Sequence, residues 1–423
     1  DFSAPLLGKR SGGPPSRGEA GFLAPGSAAS SVVLLCSAAI GTGVLALPYA
    51  ASVVGVLPAL AIFALAALVA FVTNAILFMC AKETGLGSYG ELMTGILGKS
   101  GARVLDFFVW VEGLAAVATY LVFIMDYVPQ VCALAGEGTW CTDPNNVAMA
   151  AAAVIWPLSC MQGLSALRYI STCSIVTLLF TFSVVLCKSP ARFAATGVTF
   201  SDAITEVRID MGVFQVLSMA CFAFMTHTNT PEIALQLVRP TRPRFFQVVG
   251  VHTALLWLVY CTIAICGFLS FMSDIQQDFL TNYDIRDTFV IACRCMLSAT
   301  LVFACPINIC PAIQALFNIL EGLRPASGRQ GSKGLYHNNM LRVSLTTGCF
   351  AISLGIALRS PHVADLISVI ATFLSSPLMF TFPALMYRGI LKRKDMVIPA
   401  LLHTFTAVLW VAEFCRLRGV GSQ

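Results

Sequence analysis

Two short polar interruptions lie inside apolar segments, and they are the part of this sequence best suited to bind a small charged ligand. The first is G-T-G at residues 41–43, and the second is T-H-T-N-T-P at residues 226–231. Each glycine destabilises a helix interior by about 1 kcal/mol relative to alanine. A broken helix exposes N–H groups that attract a carboxylate and carbonyls that attract an ammonium. The two breaks therefore predict a site for a zwitterion such as an α-amino acid; close helix packing at small residues is the alternative.

The composition indicates which kind of protein positions these breaks. Of the 423 residues 57% are hydrophobic and 11% are charged, whereas a soluble domain is roughly a quarter charged. The chain is therefore predicted to be an all-α integral membrane protein. Its net charge of +5 is scattered over loops, which argues against nucleic-acid binding. No nucleophile with its base, phosphate loop or zinc spacing is present, so neither an enzyme, a bound metal nor a cofactor is expected.

Apolar segments of about 20 residues can cross a membrane as helices. Eleven such segments are predicted, at residues 28–54, 57–80, 104–128, 147–164, 169–188, 211–238, 246–272, 286–320, 340–358, 362–387 and 397–414. Residues 81–102 suggest a short interfacial helix, and residues 189–210 a polar connection. Residues 1–27 are predicted to be a disordered segment, residues 28–416 the membrane domain and residues 417–423 a short tail.

The loops give an orientation, and the two breaks give an internal symmetry. Most Lys and Arg residues fall on one side if the N-terminus is cytoplasmic and the loops alternate, as expected for cytoplasmic loops. The breaks lie in the first and sixth predicted spans. Corresponding breaks in two halves of five spans are typical of transporters built from an inverted repeat, with the binding site near mid-membrane.

Several motifs resemble the amino acid/auxin permease family. They are G-T-G-V-L-A-L-P-Y at 41–49, A-F-M-T-H-T-N at 223–229 and G-F-L-S-F at 267–271, with Pro306 and Pro311 in the eighth span. The resemblance covers nearly all of residues 28–414. It implies a LeuT-like fold of eleven helices, a five-plus-five inverted repeat plus one with helices 1 and 6 broken, and coupled amino-acid transport by alternating access.

The candidate substrate-binding residues surround the two breaks. They are Ile40, Gly41, Thr42, Gly43, Val44, Phe224, Thr226, His227, Thr228 and Asn229. Backbone N–H groups from Thr42 to Val44 are expected to hold the substrate carboxylate. The carbonyls of Ile40 and Gly41, with groups from residues 227–229, are expected to face the amino end. A neutral amino acid is favoured because no acidic side chain adjoins the first break.

Four further residues are candidates for coupling or gating. Ionisable groups inside a membrane are functional candidates by default, which singles out Glu112 and Arg294. They either neutralise each other, contact the substrate or a proton, or have a purely structural role. Glu232 opens the second half of the sixth span, where a carboxylate stabilises the helix end and is placed to gate. Ser37 stands where sodium-coupled relatives carry Asn, so the resemblance favours proton coupling, with sodium coupling as the alternative.

Several expectations concern partners and surroundings. The expected partners are an amino-acid substrate and the bilayer, with the chain acting as a monomer in the plasma membrane or a vacuolar or lysosomal-type membrane. Most of the 16 cysteines are apolar fillers, but Cys132 and Cys141 flank a polar loop and are either bridged or free. The competing function is a receptor of the same fold that senses an amino acid with little flux.

Overall fold

The computed structural model describes residues 26–39, 42–134, 136, 138–160, 168–205, 207–324, 338–360 and 362–418, and over these residues it contains helices and no strands. The all-α prediction is therefore confirmed. In chain order the α-helices are α1 Ala28–Ala39, α2 Leu47–Val54, α3 Val56–Thr84, α4 Tyr89–Cys132, α5 Pro144–Cys160, α6 Arg168–Thr196, α7 Phe200–Thr205, α8 Gly212–Ala223, α9 Thr230–Gln236, α10 Arg242–Phe271, α11 Thr288–Leu323, α12 Asn339–Arg359, α13 Val363–Ile370, α14 Phe382–Gly389 and α15 Val397–Leu417.

Within the described residues, eight helices are long and apolar enough to cross a membrane, or nine if the bent pair α1 and α2 is taken as one span. The predicted count of eleven is not confirmed by length and composition. The fourth predicted span corresponds to α5, which has 17 residues. The sixth corresponds to α8 and α9, which have 12 and 7 residues. The helix break is what makes these pieces of the sixth span short.

The first broken helix consists of α1, a 3₁₀ turn at Thr42–Ala46, and α2. The two halves meet at an angle of 60°. Pro48 lies in the first turn of α2, where a residue without an N–H group removes no intrahelical hydrogen bond. The 3₁₀ turn thus begins within the predicted interruption at residues 41–43 and leads into α2. Residues 40 and 41 lie outside the described residues.

The second broken helix is interrupted two residues earlier than predicted. Helix α8 ends at Ala223, and α9 begins at Thr230 with Pro231 in its first turn. The break is therefore residues 224–229, and Pro231 belongs to the second half-helix. This shift follows from the same preference of proline for the first turn of a helix.

Two connections differ from the prediction. The expected interfacial helix is the first part of α4, which starts with a capping box between Ser88 and Glu91 and turns sharply at Gly98 (φ 64°, ψ −166°). The expected polar connection at residues 189–210 is wrong over much of its length. Helix α6 continues to Thr196, and α7 occupies Phe200–Thr205. Polar residues at the end of a span do not by themselves end a helix, because tertiary packing overrides propensity.

The centre of the core is formed by α4 and α11, which pack along each other. Gly113 allows this approach, because a Cβ there would lie 2.6 Å from Cβ of Ala312. The tenth predicted span is α13 and α14 joined through π-helical turns at Ala371–Ser375 and Pro377–Thr381. Such turns widen the helix and occur frequently at functional sites.

The helix ends define two faces of the molecule. On the face that we call the N-terminal face, α1 begins, and the N–H of Val238 after α9 donates to the carbonyl of Gly26 at 2.9 Å. Helix α3 ends there and α10 begins there. On the opposite face, the N–H of Arg208 donates to the carbonyl of Val54 at the end of α2, at 3.0 Å.

Candidate functional site

The structure brings the two helix breaks into contact. A Cβ at Gly43 would lie 3.1 Å from Cδ1 of Phe222 and 3.6 Å from Cα of Ala223, at the last turn of α8. Glycine is thus the residue that lets the first break approach the end of α8 so closely. The two predicted halves of the site are neighbours in space, although they are separated by about 180 residues of sequence.

A single hydroxyl group joins the C-terminal ends of the two first half-helices. Tyr260 on α10 is buried, and its hydroxyl lies 2.8 Å from the carbonyl of Ala223 and 3.3 Å from the carbonyl of Ala39. These carbonyls belong to the last turns of α8 and α1, where the helix dipole places partial negative charge. The Tyr260 ring packs edge-on against Phe224 with centroids 5.0 Å apart. The tyrosine therefore fixes both carbonyl ends relative to each other.

The second half-helix after the other break is fastened to α3. The side-chain oxygen of Asn74 accepts hydrogen bonds from the hydroxyls of Thr230 at 2.6 Å and Thr226 at 3.2 Å. The amide nitrogen of Asn74 donates to the carbonyl of Ala70 at 2.9 Å. All three polar side chains are buried. Asn74 therefore sets the position at which α9 starts.

His227 points to the same stretch of α3. It is fully buried, and its Nε2 lies 2.7 Å from Oγ1 of Thr73. The Thr73 hydroxyl lies 2.8 Å from the carbonyl of Val69. If the threonine donates to that carbonyl, the imidazole donates from Nε2, and this assignment leaves Nδ1 as an acceptor. In the described part of the chain, Nδ1 of His227 has no hydrogen-bond partner, so the break contains a buried acceptor that a ligand could use.

The other predicted substrate-binding residues differ in their burial. Gly43, Val44 and Thr226 are buried, Thr228 is half-buried and Asn229 is exposed. Ile40 and Gly41 lie outside the described residues, and of Thr42 only the backbone, in the 3₁₀ turn, is described.

Glu112 and Arg294 bond to different parts of the fold. Glu112 on α4 accepts a hydrogen bond at 2.9 Å from Ser375, which lies in the first π-helical turn. Arg294 on α11 is fully buried and donates from Nη2 to the carbonyls of Leu280 at 2.8 Å and Tyr283 at 2.9 Å. Over the described ranges no ion pair joins the two residues. Of the alternatives left open for them, mutual neutralisation has no support in this geometry.

The other two coupling candidates are Ser37 and Glu232. Ser37 is half-buried on α1. Glu232 lies in the first turn of α9, as predicted, and accepts a hydrogen bond from Gln236 at 3.3 Å within the same helix. Neither observation assigns a coupling role, so the roles of Ser37 and Glu232 stay predictions.

On the opposite face, a polar network ties the ends of four segments together. Arg416 on α15 contacts Glu413 at 2.7 Å and Asp365 on α13 at 2.9 Å. Asp365 also accepts from Gln215 on α8 at 3.1 Å and from Gln277 in the loop between α10 and α11 at 3.2 Å. Asp365 therefore joins α13 to α8, α15 and this loop.

The loop between α10 and α11 also carries a buried carboxylate, Asp278. Asp278 accepts a hydrogen bond from the N–H of Leu280 at 3.1 Å and is almost fully buried. Burial, and next the nearby Asp126, raise the pKa of Asp278 well above its ordinary value. Cys132 and Cys141, which flank another loop on this face, are free thiols in the structure.

Tyr260, Thr73, Asn74 and Ser375 were not predicted from the sequence. Thr73 and Asn74 are adjacent polar residues within a long apolar segment, and that signal could have singled them out. Tyr260 offers a weaker signal, because tyrosine is common in membrane helices. Its role depends on the spatial contact of α10 with two helix ends that are remote in sequence.

The overall arrangement is similar to that of a solved structure. The inward-facing structure of Mhp1 superposes with a TM-score of 0.58 at 11% sequence identity, covering 93% of this chain and 90% of Mhp1. The similarity confirms the predicted LeuT-like fold.

The family follows from the sequence comparison. The model of the family described as "Transmembrane amino acid transporter protein" matches residues 24–417, so this chain belongs to that family. The amino acid/auxin permease resemblance is thereby confirmed.

Individual relatives differ in length. "Putative amino acid transporter AAT1" of Toxoplasma gondii is 32% identical over 315 residues, which are 74% of this chain and 43% of that protein. The protein of the same name from Plasmodium berghei is 22% identical and is covered over 48% of its length. This chain thus spans less than half of either AAT1 protein. "Sodium-coupled neutral amino acid transporter 7" of Danio rerio is 24% identical over 378 residues, 85% of this chain and 78% of that protein.

Proposed function

We propose that this protein is a secondary active transporter of amino acids, with neutral amino acids favoured, and that the substrate binds where the two helix breaks meet. Membership of an amino acid transporter family supports the reaction class. The observation that carries the location is the contact of the Tyr260 hydroxyl with the carbonyl ends of both α1 and α8. No other pair of helix ends in the described residues has both this contact and a sequence break.

The chemistry of the breaks suits both ends of an amino acid. The carbonyls of Ala39 and Ala223 lie at helix C-termini, where partial negative charge of about half an elementary charge accumulates. Each carbonyl has a second lone pair, so an ammonium group can bind beside the Tyr260 hydroxyl. The N–H groups at the start of the 3₁₀ turn lie at the positive end of the second half-helix and fit a carboxylate.

The same contacts support alternating access. Because Tyr260 links α1 to α8, and Asn74 links α9 to α3, we infer that these helices move together as one unit. On the opposite face, Gln215 connects α8 to Asp365 and so to α13 and α15. Breaking that connection is the step expected to open this face, in line with the rocking of one repeat against the other.

We favour the proton as the coupling ion. Glu112 is a carboxylate within the membrane domain, and its hydroxyl partner Ser375 lies in a π-helical turn. A carboxylate at such a position can take up a proton on one side and release it on the other. Sodium coupling is the second candidate, because the similar transporters from vertebrates carry sodium in their name.

We also propose that the chain works as a monomer with its N-terminal face in the cytoplasm, in a plasma or vacuolar or lysosomal-type membrane. The basic residues at the end of α3 and around α14 support this orientation by the positive-inside rule.

Uptake by the purified protein in proteoliposomes tests the function. Radiolabelled neutral, cationic and acidic amino acids are offered at two pH values, with protein-free liposomes as the control. We expect saturable uptake, highest for one or more neutral amino acids. Saturable binding in detergent without uptake in liposomes would instead favour the receptor of the same fold.

A further inference from the structure

A cavity of about 540 Å³ opens on the N-terminal face, outside the substrate site. It is formed where α3 ends, α4 begins, α10 begins and the segment after α14 leaves the helix. Its volume is within the range of small-molecule sites, which is about 300–1,000 Å³. None of the predicted substrate or coupling residues lines it, so the proposed transport does not explain it.

The charged lining of this cavity is mainly positive. Arg242, Lys392 and Arg393 line it together with a single acidic residue, Glu83. Among the residues that the structure describes, none of the three cations has a carboxylate within ion-pairing distance. On the opposite face, by contrast, Lys188 is paired with Asp287 at 2.6 Å. The cavity therefore presents unpaired ammonium and guanidinium donors, which match the oxygens of a phosphate group.

Apart from Thr84 and two glycines, the rest of the lining is apolar, and exposed apolar residues lie nearby in the sequence. Leu86, Leu92 and Leu391 line the cavity itself. Leu97 is 49% exposed two residues after the lining Gly95, and Val397 is 64% exposed shortly after Arg393. A free phosphate compound would make no use of these surfaces, whereas acyl chains would cover them.

The depth of the cavity also fits a lipid. It lies at the last turn of α3 and the first turn of α10, which are the ends of two helices long enough to cross a membrane. Basic pockets at this level, between membrane helices, are where lipid head groups bind. We propose that this cavity binds the phosphorylated head group of an anionic lipid, with Arg242, Lys392 and Arg393 contacting the phosphate.

Such a lipid would add a further contact between four segments that meet at this face. Its head group would bridge α3 and α10 on one side and α4 and the segment after α14 on the other. Because α3 and α10 hold the two breaks through Asn74 and Tyr260, the bound lipid would favour the conformation in which these four segments are close. The binding itself does not depend on which substrate is transported.

Binding of a fluorescent phosphatidylinositol phosphate to the purified full chain in detergent tests the proposal. The variant Arg242→Gln/Lys392→Gln/Arg393→Gln is compared with Arg239→Gln/Arg388→Gln/Lys394→Gln, which removes the same charge from neighbouring positions that do not line the cavity. We expect the first variant to weaken binding on the order of a hundredfold, from three lost cation contacts. The second should keep most of the affinity.

Competition experiments distinguish a lipid head group from free phosphate as the ligand. Unlabelled phosphatidylinositol phosphate should displace the probe, whereas phosphatidylcholine and inorganic phosphate should not. Equal weakening in both triple variants would mean diffuse attraction to surface charge and would overturn the proposal. Displacement by inorganic phosphate as effective as by lipid would also overturn it. If the first triple variant fails to fold, Lys392→Gln and Arg393→Gln are tested singly, and unchanged binding in both contradicts the site.

Discussion

At the scale of single residues, the breaks depend on the smallest side chain and on one hydroxyl. Gly43 lets the first break approach α8, and Tyr260 holds the carbonyl ends of α1 and α8. The glycine could be singled out from the sequence, because a helix interior disfavours it. The tyrosine could not, because its importance arises from a contact between residues 39, 223 and 260, which no local pattern encodes.

Replacing Gly43 by valine should abolish most transport while leaving the protein inserted. The added Cβ would lie 3.1 Å from the Phe222 ring, and the valine methyl groups would force that ring away. Overpacking of this kind costs about 1–3 kcal/mol, enough to misalign the break. The measurement is the initial rate of amino-acid uptake in proteoliposomes.

Gly348→Val is the matched control for this variant, because a Cβ at Gly348 meets nothing within 4 Å. It should transport at nearly the normal rate. Normal uptake by Gly43→Val would mean that the break serves packing alone, and the proposed site would then be wrong.

Removing the Tyr260 hydroxyl should weaken substrate affinity more than it weakens the fold. Tyr260→Phe keeps the ring contact with Phe224 but leaves the carbonyls of Ala39 and Ala223 without their common donor. The loss of one buried partner costs about 1–3 kcal/mol. We expect a raised KM for uptake, because the two helix ends are no longer fixed relative to each other.

Tyr89→Phe controls for the loss of a buried hydroxyl as such. Tyr89 is equally buried and donates to the carbonyl of Leu378 at 2.6 Å, away from both breaks. Both variants should lower the melting temperature, and only Tyr260→Phe should raise KM. An equal change in KM for the two variants would contradict the assignment of the carbonyl ends to the substrate.

At the scale of elements, apolar length and the position of proline predict most of the helices. The long segments α3, α10 and α11 coincide closely with predicted spans, because membrane thickness fixes how many apolar residues a span needs. The continuation of α6 to Thr196 and the π-helical turns of the tenth span escaped prediction. Both depend on packing against neighbouring helices, which hydropathy does not describe.

The turn within α4 gives a prediction about an element. Gly98 has φ 64° and ψ −166°, a conformation that is available essentially only to glycine. Gly98→Ala should destabilise the protein by about 1–3 kcal/mol through backbone strain, since a Cβ there has open space around it. The measurement is thermal unfolding in detergent.

Gly95→Ala is the internal comparison, because Gly95 also has open space and lies in the helical part of α4 before the turn. It should be neutral or slightly stabilising, since alanine is the better helix former. Equal melting temperatures for the two variants would show that Gly98 is under no constraint.

At the scale of the whole molecule, the two faces are built differently. The opposite face is closed by the network around Asp365 and Arg416, whereas the N-terminal face has an open basic cavity. The network on the opposite face is the set of contacts that must break for that face to open during alternating access. The sequence predicted the sidedness of the charges, but not which charged residues pair, because pairing depends on helix ends meeting in space.

The identity of the coupling ion concerns the whole transport cycle. It is tested by imposing proton and sodium gradients across the membrane. If protons drive transport, an acidic exterior should accelerate concentrative uptake without sodium on either side. Glu112→Gln keeps the hydrogen bond from Ser375 possible but cannot release a proton, so it should remove the acceleration while preserving exchange of substrate. Glu91→Gln, on the same helix in an exposed capping box that glutamine also satisfies, should retain it. A strict requirement for sodium, with no response to the proton gradient, would assign the coupling to sodium and leave Glu112 as a structural partner of the π-helical turn.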